Sequence, residues 1–269
     1  MSEMRTPPVP LTVEGSWVLH QMFRVRWAEW RNLGQVERDH IARDAASILT
    51  GTDGSAGYSV LGHKGDLMLI HFRESVDKLE EIQRTLRKLR LFDFMEQSAS
   101  YVSVVELGLY ESTQKVYGSL AEKGLEPHSP EWDAAIQETL ERQREAMRPR
   151  LYPEIPSHPY VCFYPMDRRR GEAKNWYQEP MAERARMMHE HGLVGRRYAG
   201  QVRQIITGSI GLDDWEWGVD LFTDDPLVFK KLIYEMRFDE VSAMYALFGT
   251  FYVGMRLQSP DLSAFLDLG

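Results

Sequence analysis

The sequence lacks the features that mark secreted, membrane-spanning and nucleic-acid-binding proteins. Cys162 is the single cysteine, so an internal disulfide is excluded. No apolar run approaches the roughly 18 residues that a membrane helix needs, and residues 1–8 lack the apolar core of a signal peptide. We therefore expect a cytoplasmic protein without a membrane span. The net charge of −8 and the pI near 5.6 argue against nucleic-acid binding, which needs a dominant basic face.

Motifs for common cofactors are also missing. No zinc-site spacing, P-loop or dinucleotide-binding glycine pattern occurs, so the glycines at 51–57 and 208–211 predict hairpin turns. Because no Cys-x-x-Cys-His motif is present, any haem would be bound without covalent attachment. The 43% hydrophobic and 11% aromatic content is that of a globular chain with a sizeable core.

Hydrophobic periodicity predicts two successive units of order β-α-β-β-α-β, which is the ferredoxin-like pattern. The predicted strands cover residues 16–27, 58–61, 66–72 and 101–109 in the first unit, and 160–164, 198–207, 215–222 and 243–257 in the second. The predicted fold is therefore α+β, with two ferredoxin-like βαββαβ halves forming a dimeric α+β barrel within one subunit. We divide the chain into an N-terminal scaffold half (10–112), a linker (113–150) with one clear helix over 131–147, and a C-terminal half (151–269).

Three polar residues of the second unit are candidates for one shared site. Tyr164 lies on an apolar strand, and His191 ends a predicted helix over 180–191 that Gly192 is expected to stop. Gln204 falls on the apolar face of an alternating strand. A phenol, an imidazole and a buried amide together suggest a redox or haem site. Each also has an ordinary alternative, as a core tyrosine, a surface histidine and an amide that satisfies the backbone.

The charge pattern indicates an anionic ligand for the same region. Residues 148–203 contain eleven Lys and Arg and only six Asp and Glu, inside a chain that is acidic overall. Arginine forks suit carboxylates or phosphates, and a cationic region in an acidic protein attracts anions. The alternative is a solvated basic face without a ligand.

The second half contains several distinctive motifs: Leu-Tyr-Pro-Glu-Ile-Pro at 151–156, Phe-Tyr-Pro-Met at 163–166, His-Gly at 191–192, Gly-Arg-Arg-Tyr-Ala-Gly at 195–200 and Gln-Ile-Ile-Thr-Gly at 204–208. Together they resemble the coproheme decarboxylases of Gram-positive-type haem biosynthesis, which belong to the chlorite dismutase superfamily. The resemblance implies two ferredoxin-like halves, a homopentamer and a haem site in the C-terminal half.

The resemblance also implies roles for individual residues. His191 would be the axial ligand of the haem iron and Tyr164 the catalytic residue, which leaves His189 as a solvated neighbour. Glu240 would be either the carboxylate that holds the proximal imidazole or a surface charge. Contacts with the substrate and its propionates would come from Arg150, Arg168, Gln204 and Ser242.

Two of these positions differ between relatives. Chlorite-degrading relatives place an arginine where this chain has Gln204, so the glutamine favours a decarboxylase. Arg168 stands where relatives often have lysine. The arginine keeps the positive charge but presents it as a planar fork of N–H donors, whereas lysine presents a point charge.

The implied activity is hydrogen-peroxide-dependent oxidative decarboxylation of iron coproporphyrin III (coproheme) to haem b through a three-propionate intermediate. This is the last step of coproporphyrin-dependent haem biosynthesis, and the iron coproporphyrin III is both substrate and redox centre. The resemblance further implies transfer of the substrate from a coproporphyrin ferrochelatase. The alternatives are a chlorite dismutase, a haem peroxidase, or a haem carrier or sensor without turnover.

Overall fold

A computed structural model describes residues 9–50 and 54–267 of the chain. The N-terminal leader at 1–8 and residues 51–53 of the first glycine-rich turn lie outside the described residues. Within the described ranges, no helix is both long and apolar enough to cross a bilayer.

The first half has the predicted alternation of strands and helices. Its strands are β1 (Thr12–Val25), β2 (Ser55–Val60), β3 (Leu67–Arg73) and β4 (Met95–Gly108), and its helices are α1 (Trp27–Arg31), α2 (Gln35–Thr50) and α3 (Val76–Arg87). Ser75 caps α3 by accepting from the backbone N–H of Lys78, as its place before an apolar stripe predicts. The helices α4 (Tyr110–Glu122), α5 (Pro130–Ala146) and α6 (Arg148–Leu151) follow.

The second half repeats this order. Its elements are β5 (Tyr160–Arg168), α7 (Met181–Arg196), β6 (Arg203–Gly208), β7 (Trp217–Thr223), α8 (Leu227–Met236), α9 (Glu240–Tyr245), β8 (Ala246–Phe248), β9 (Tyr252–Leu257) and α10 (Ser259–Leu266).

All strand pairings between these elements are antiparallel, and they close into a ring. The first half has the order β4-β1-β3-β2, and the second half has the order β6-β7-β5-β9. Pairing of β4 with β6 joins the halves on one side, and pairing of β2 with β9 joins them on the other. The α+β fold with two ferredoxin-like halves is therefore confirmed, and the eight strands of the ring form the predicted barrel.

Three predicted elements were wrong in detail. Gly192 does not stop its helix, because α7 continues to Arg196 and the left-handed glycine after it is Gly200, with φ 86°. The predicted last strand over 243–257 is instead the helix α9 followed by two short strands, since Asp239 caps a helix there. The predicted linker contains a further helix, α4, whose buried face is sparse and includes Tyr117.

Helices cover the outer face of both halves, but the packing differs. On the first half, α2 and α10 fill the space above the sheet with small and branched side chains such as Ala45, Leu49 and Leu262. Inside the barrel, His20 of β1 bonds Asp220 of β7 at 2.9 Å, and both side chains are fully buried. On the second half, the outer face of the sheet instead borders a large cavity.

Candidate functional site

A cavity of about 1210 Å³ lies against the outer face of β5, β6 and β7 and is bordered by α7. This volume exceeds that of most small-molecule sites, which suits a ligand as large as a porphyrin. All six residues that the sequence singled out for the site lie in its wall: Arg150, Tyr164, Arg168, His191, Gln204 and Ser242. The sequence therefore predicted which part of the chain converges here.

One face of α7 forms a side of the cavity. Arg184, Met188, His191 and Gly195 all line it, and their spacing of three and four residues places them on one helical stripe. Gly192 also lines the cavity, and a side chain there would meet no other part of the described chain. A glycine inside a helix costs about 1 kcal/mol relative to alanine. Because protein packing does not require Gly192, close approach of a ligand beside His191 explains it better.

His191 is held by a carboxylate that the sequence argument did not identify. Its Nδ1 lies 2.9 Å from Oδ2 of Asp239, and its side chain is 22% exposed while that of Asp239 is 6% exposed. With Nδ1–H donating to this carboxylate, Nε2 carries the lone pair. That is the arrangement of a neutral imidazole prepared to bind a metal ion.

Asp239 is itself fixed by the start of α9. Its Oδ1 accepts the backbone N–H of Ser242 at 2.9 Å, and its Oδ2 accepts the Ser242 hydroxyl at 3.1 Å. Burial alone would raise the pKa of Asp239, but the hydrogen bonds from His191 and Ser242 outweigh it and hold the pKa below its usual value. The carboxylate is therefore charged at neutral pH and suited to orient the imidazole.

Of the two alternatives for Glu240, the structure shows the surface charge. Its side chain points to the surface, where Oε2 accepts from Arg186 at 2.8 Å. Asp239 precedes the helix as its N-cap and turns toward α7, whereas Glu240 occupies the first turn and faces solvent. His189 is likewise at the surface, where it pairs with Glu111, as predicted.

Tyr164 is buried in the cavity wall. It is 5% exposed, and its ring stacks on Phe251 with the centroids 4.5 Å apart. Burial raises the pKa of Tyr164, and the opposing effects of Arg237 and Arg168 are smaller. The side chain is therefore a protonated phenol at neutral pH, which can give up a hydrogen atom but does not carry a charge.

Arg168 places a buried guanidinium beside the same cavity. It lies over the rings of Trp176 and Trp217, at 5.1 and 6.0 Å from their centroids, and its Nη2 contacts the sulfur of Met188 at 3.5 Å. Its Nη1 is buried and has no hydrogen-bond partner among the described residues. A buried charged donor without a partner is costly, so an anionic group in the cavity is the natural acceptor.

The remaining predicted residues lie at more open positions of the wall. Gln204 shares the cavity with Ile206 of β6 and with Val202, but Val202 lies before β6 begins, and Gln204 is exposed rather than buried. The alternating pattern predicted an apolar face, and it did not reveal that this face borders a cavity instead of a packed core. Arg150 is also exposed, near the end of α6.

Three residues that line or support the cavity were not predicted from the sequence: Asp239, Trp217 and Glu106. Asp239 had a partial signal, because Asp is a favoured N-cap residue, but that preference does not tell which way its side chain faces. Glu106 had none, since it comes from β4 of the first half and reaches the cavity only through the pairing of β4 with β6.

Comparison with known proteins places these features in a wider group. The family model described as chlorite dismutase matches residues 38–257. A protein from Halobacterium salinarum that is named for heme binding is 43% identical over 265 residues, which are 96% of this chain and 50% of that protein. The chain therefore spans about half the length of this curated relative.

Solved structures agree with the fold. The structure of a heme-binding protein from Thermus thermophilus has a TM-score of 0.80 and 40% identity, and the match covers 97% of this chain and 98% of that one. A variant of chlorite dismutase from Candidatus Nitrospira defluvii has a TM-score of 0.69 and 17% identity, over 94% and 96% of the two chains. At that identity the similarity shows a shared fold alone.

Proposed function

The chain belongs to the chlorite dismutase family, and on that premise we propose that its cavity binds iron coproporphyrin III and decarboxylates it to haem b with hydrogen peroxide. For each propionate, one peroxide accepts two electrons and two protons, so that a vinyl group, CO2 and two waters are formed. The reaction passes through a three-propionate intermediate. It would be the last step of coproporphyrin-dependent haem biosynthesis.

The observation that carries this proposal is the grouping of three different side chains on one cavity. His191 offers Nε2 to a metal ion, Arg168 offers a buried N–H to a carboxylate, and Tyr164 offers a phenolic hydrogen. These residues fit an iron porphyrin that carries carboxylates. When bound, the iron porphyrin supplies the redox centre at which peroxide is reduced. A cavity for a ligand that is only apolar would not need the buried guanidinium.

The residues of the chain would divide the work as follows. His191, oriented by Asp239, would hold the iron. Arg168 holds one carboxylate, and Arg150, Gln204 and Ser242 contribute further polar contacts from other parts of the wall. Gln204 is uncharged, so it adds no positive charge beside the peroxide.

Tyr164 would perform the hydrogen transfer. One of the two oxidising equivalents of a peroxide would take a hydrogen atom from its phenol, and the resulting phenoxyl oxygen would take a hydrogen atom from the β-carbon of a propionate, which restores the phenol. The second oxidising equivalent of the same peroxide would accept the electron that is released with CO2, and a vinyl group is left. The apolar packing of Tyr164 against Phe251 keeps water away from this step and keeps the phenol protonated beforehand.

The test is to load the purified protein with iron coproporphyrin III, add peroxide stepwise and follow the porphyrin by mass spectrometry. The wild-type protein should lose two carboxyl groups in succession and accumulate haem b. Tyr164→Phe should bind the porphyrin normally and yield no decarboxylated product. Tyr160→Phe, on the same face of β5 but outside the cavity wall, is the matched control and should behave as wild type. Unchanged yield from Tyr164→Phe would remove this residue from the reaction.

A second candidate is a haem carrier or sensor without turnover. The relatives from Halobacterium salinarum and Thermus thermophilus are both named for heme binding, and that favours this candidate. The same experiment separates the two, because a carrier would keep all four propionates intact under peroxide. Chlorite dismutation has less support, since Gln204 lacks charge, and an assay of oxygen release from chlorite tests it. A haem peroxidase, like a carrier, would leave the propionates intact.

The biological setting belongs to the same proposal. We propose a homopentamer in the cytoplasm that receives its substrate from a coproporphyrin ferrochelatase, with the N-terminal half (10–112) as scaffold, 113–150 as linker and the cavity in 151–269. Sedimentation velocity of the purified protein tests the oligomer. A stable monomer would contradict it.

A further inference from the structure

Glu106 is an acidic residue in the wall of a cavity whose basic lining residues include five arginines: Arg150, Arg168, Arg184, Arg196 and Arg203. It lies on β4, and continuing the register of β4 with β6 places it beside Ile206. Ile206 pairs with Val219 of β7, and Val219 pairs with Tyr164 of β5. Glu106 and Tyr164 therefore lie on one row across four strands, about 14 Å apart at a strand spacing of about 4.8 Å.

The carboxyl of Glu106 is fitted closely to its neighbours. A Cβ at Gly208 of β6 would lie 2.2 Å from its Oε2, so the absence of a side chain there gives the carboxyl its space. The Trp217 side chain of β7 lies against it, and Arg168 lies over the same indole ring at 6.0 Å. Glu106 and Arg168 therefore contact the same indole side chain in the wall of one cavity.

The charges around Glu106 come from each neighbouring element. Glu14 of β1 is its direct cross-strand partner, and like charges in that position repel each other. Tyr110 at the start of α4 lies near Glu106, and the charges of Arg184 of α7 and Arg168 of β5 also act on that phenol. On β6, Gly208 carries no charge, and Arg203 lies exposed in the cavity wall.

Protonation of Glu106 is favoured by this setting. Burial and the negative charge of Glu14 raise the pKa of Glu106, and the interaction with Trp217 offsets this only in part. A ligand that brings another carboxylate beside it adds a second like charge, which favours the neutral acid further. A neutral carboxylic acid can then donate its O–H to that carboxylate.

We infer that Glu106 takes up a proton when a carboxylate-bearing porphyrin fills the cavity, and that it donates this proton as a hydrogen bond to one ligand carboxylate. This rests on the proposed porphyrin site and adds to it a specificity residue from the first half of the chain. The product haem b has vinyl groups in place of two propionates, and a vinyl group accepts no hydrogen bond. Binding of the substrate is therefore coupled to pH, and binding of the product is coupled to pH less strongly. The coupling therefore favours exchange of haem b for fresh substrate.

The test is the pH dependence of porphyrin affinity in three proteins. Iron coproporphyrin III and haem b are titrated by absorbance between pH 6 and pH 9 into wild type, Glu106→Gln and Glu96→Gln, the last being an exposed acid on the same strand. Linkage of one proton weakens binding by up to about tenfold for each unit that the pH rises. Wild type and Glu96→Gln should show this slope with iron coproporphyrin III and a smaller one with haem b.

Glu106→Gln should lose the slope yet bind iron coproporphyrin III well at pH 9, because its amide N–H donates without titrating. Glu14→Gln should keep the slope and move it to lower pH, since the repelling charge is gone. Calorimetry in two buffers of different ionisation enthalpy should record proton uptake in wild type and none in Glu106→Gln. Equal slopes in wild type and Glu106→Gln would overturn the role of Glu106 and leave the porphyrin site standing. Failure of iron coproporphyrin III to bind any of the proteins would overturn both.

Discussion

Replacing Asp239, which contacts His191, should weaken binding of an iron porphyrin without weakening binding of the iron-free porphyrin. Asp239 accepts from the imidazole at 2.9 Å and also caps α9 through the backbone N–H of Ser242 at 2.9 Å. Replacement by alanine removes both functions, while asparagine is as good an N-cap as aspartate but carries no charge. Asp239→Ala should therefore lower the free energy of unfolding by about 1 kcal/mol, and Asp239→Asn should lower it much less.

Affinity for iron porphyrin should fall in both variants, by roughly 10- to 100-fold, as is typical when the partner of a metal-bound histidine is removed. The assay is absorbance titration with iron coproporphyrin III and, in parallel, with iron-free coproporphyrin III, which lacks the iron for His191. Affinity for the iron-free ligand should be unchanged. Glu240→Gln is the matched control, because its neighbouring carboxylate pairs with Arg186 at the surface. Equal losses for both porphyrins would refute ligation through His191, as would wild-type affinity in Asp239→Asn.

Two further predictions concern buried charge. Arg168→Met keeps the packing on Trp176 but removes the N–H that has no partner among the described residues. The binding free energy of iron coproporphyrin III should therefore weaken by roughly 1.5–3 kcal/mol, while the unfolding temperature of the free protein should not fall. A loss of stability without a loss of affinity would contradict this prediction. Burial, with smaller contributions from Arg73 and His20, lowers the pKa of His71 in the folded protein to about 3. In the unfolded chain the same imidazole binds a proton below a pKa of about 6.5, and the folded state excludes that proton. Stability should therefore be complete above pH 6.5 and be lost as the pH falls toward 3, by about 2 kcal/mol at pH 5 in urea titrations, and His71→Asn should lack this component.

The fold was predictable because the strands of both halves bury one or both faces. Alternation over β1 and the apolar runs of β3 and β5 reported this burial directly. The ends of helices were less predictable, since the backbone conformation of a single residue decides where a helix stops. Gly192 has the identity of a helix stop but not the left-handed backbone, and only the fold reveals that it faces a cavity.

The site was predictable where its residues lie close together in the chain. Tyr164, His191 and Gln204 all come from neighbouring elements of one half, and the motifs around them are distinctive. The choice between Asp239 and Glu240 depends on which side of the helix start faces α7, and adjacent residues in a sequence cannot decide this. Glu106 depends on a pairing between strands about a hundred residues apart, which no local pattern encodes.

The closed ring of strands also governs how copies of this chain can meet. A sheet with open edges offers unpaired N–H and C=O groups, to which a neighbouring molecule can add a strand. Here β6 pairs with β4 at Val104 and Val105, and β9 pairs with β2 over residues 57–60, so each half covers part of the other's edge. Of the described strands, the three-residue β8 ends the sheet. A second copy of this chain therefore cannot add a strand at these two joints without displacing a pairing within the subunit.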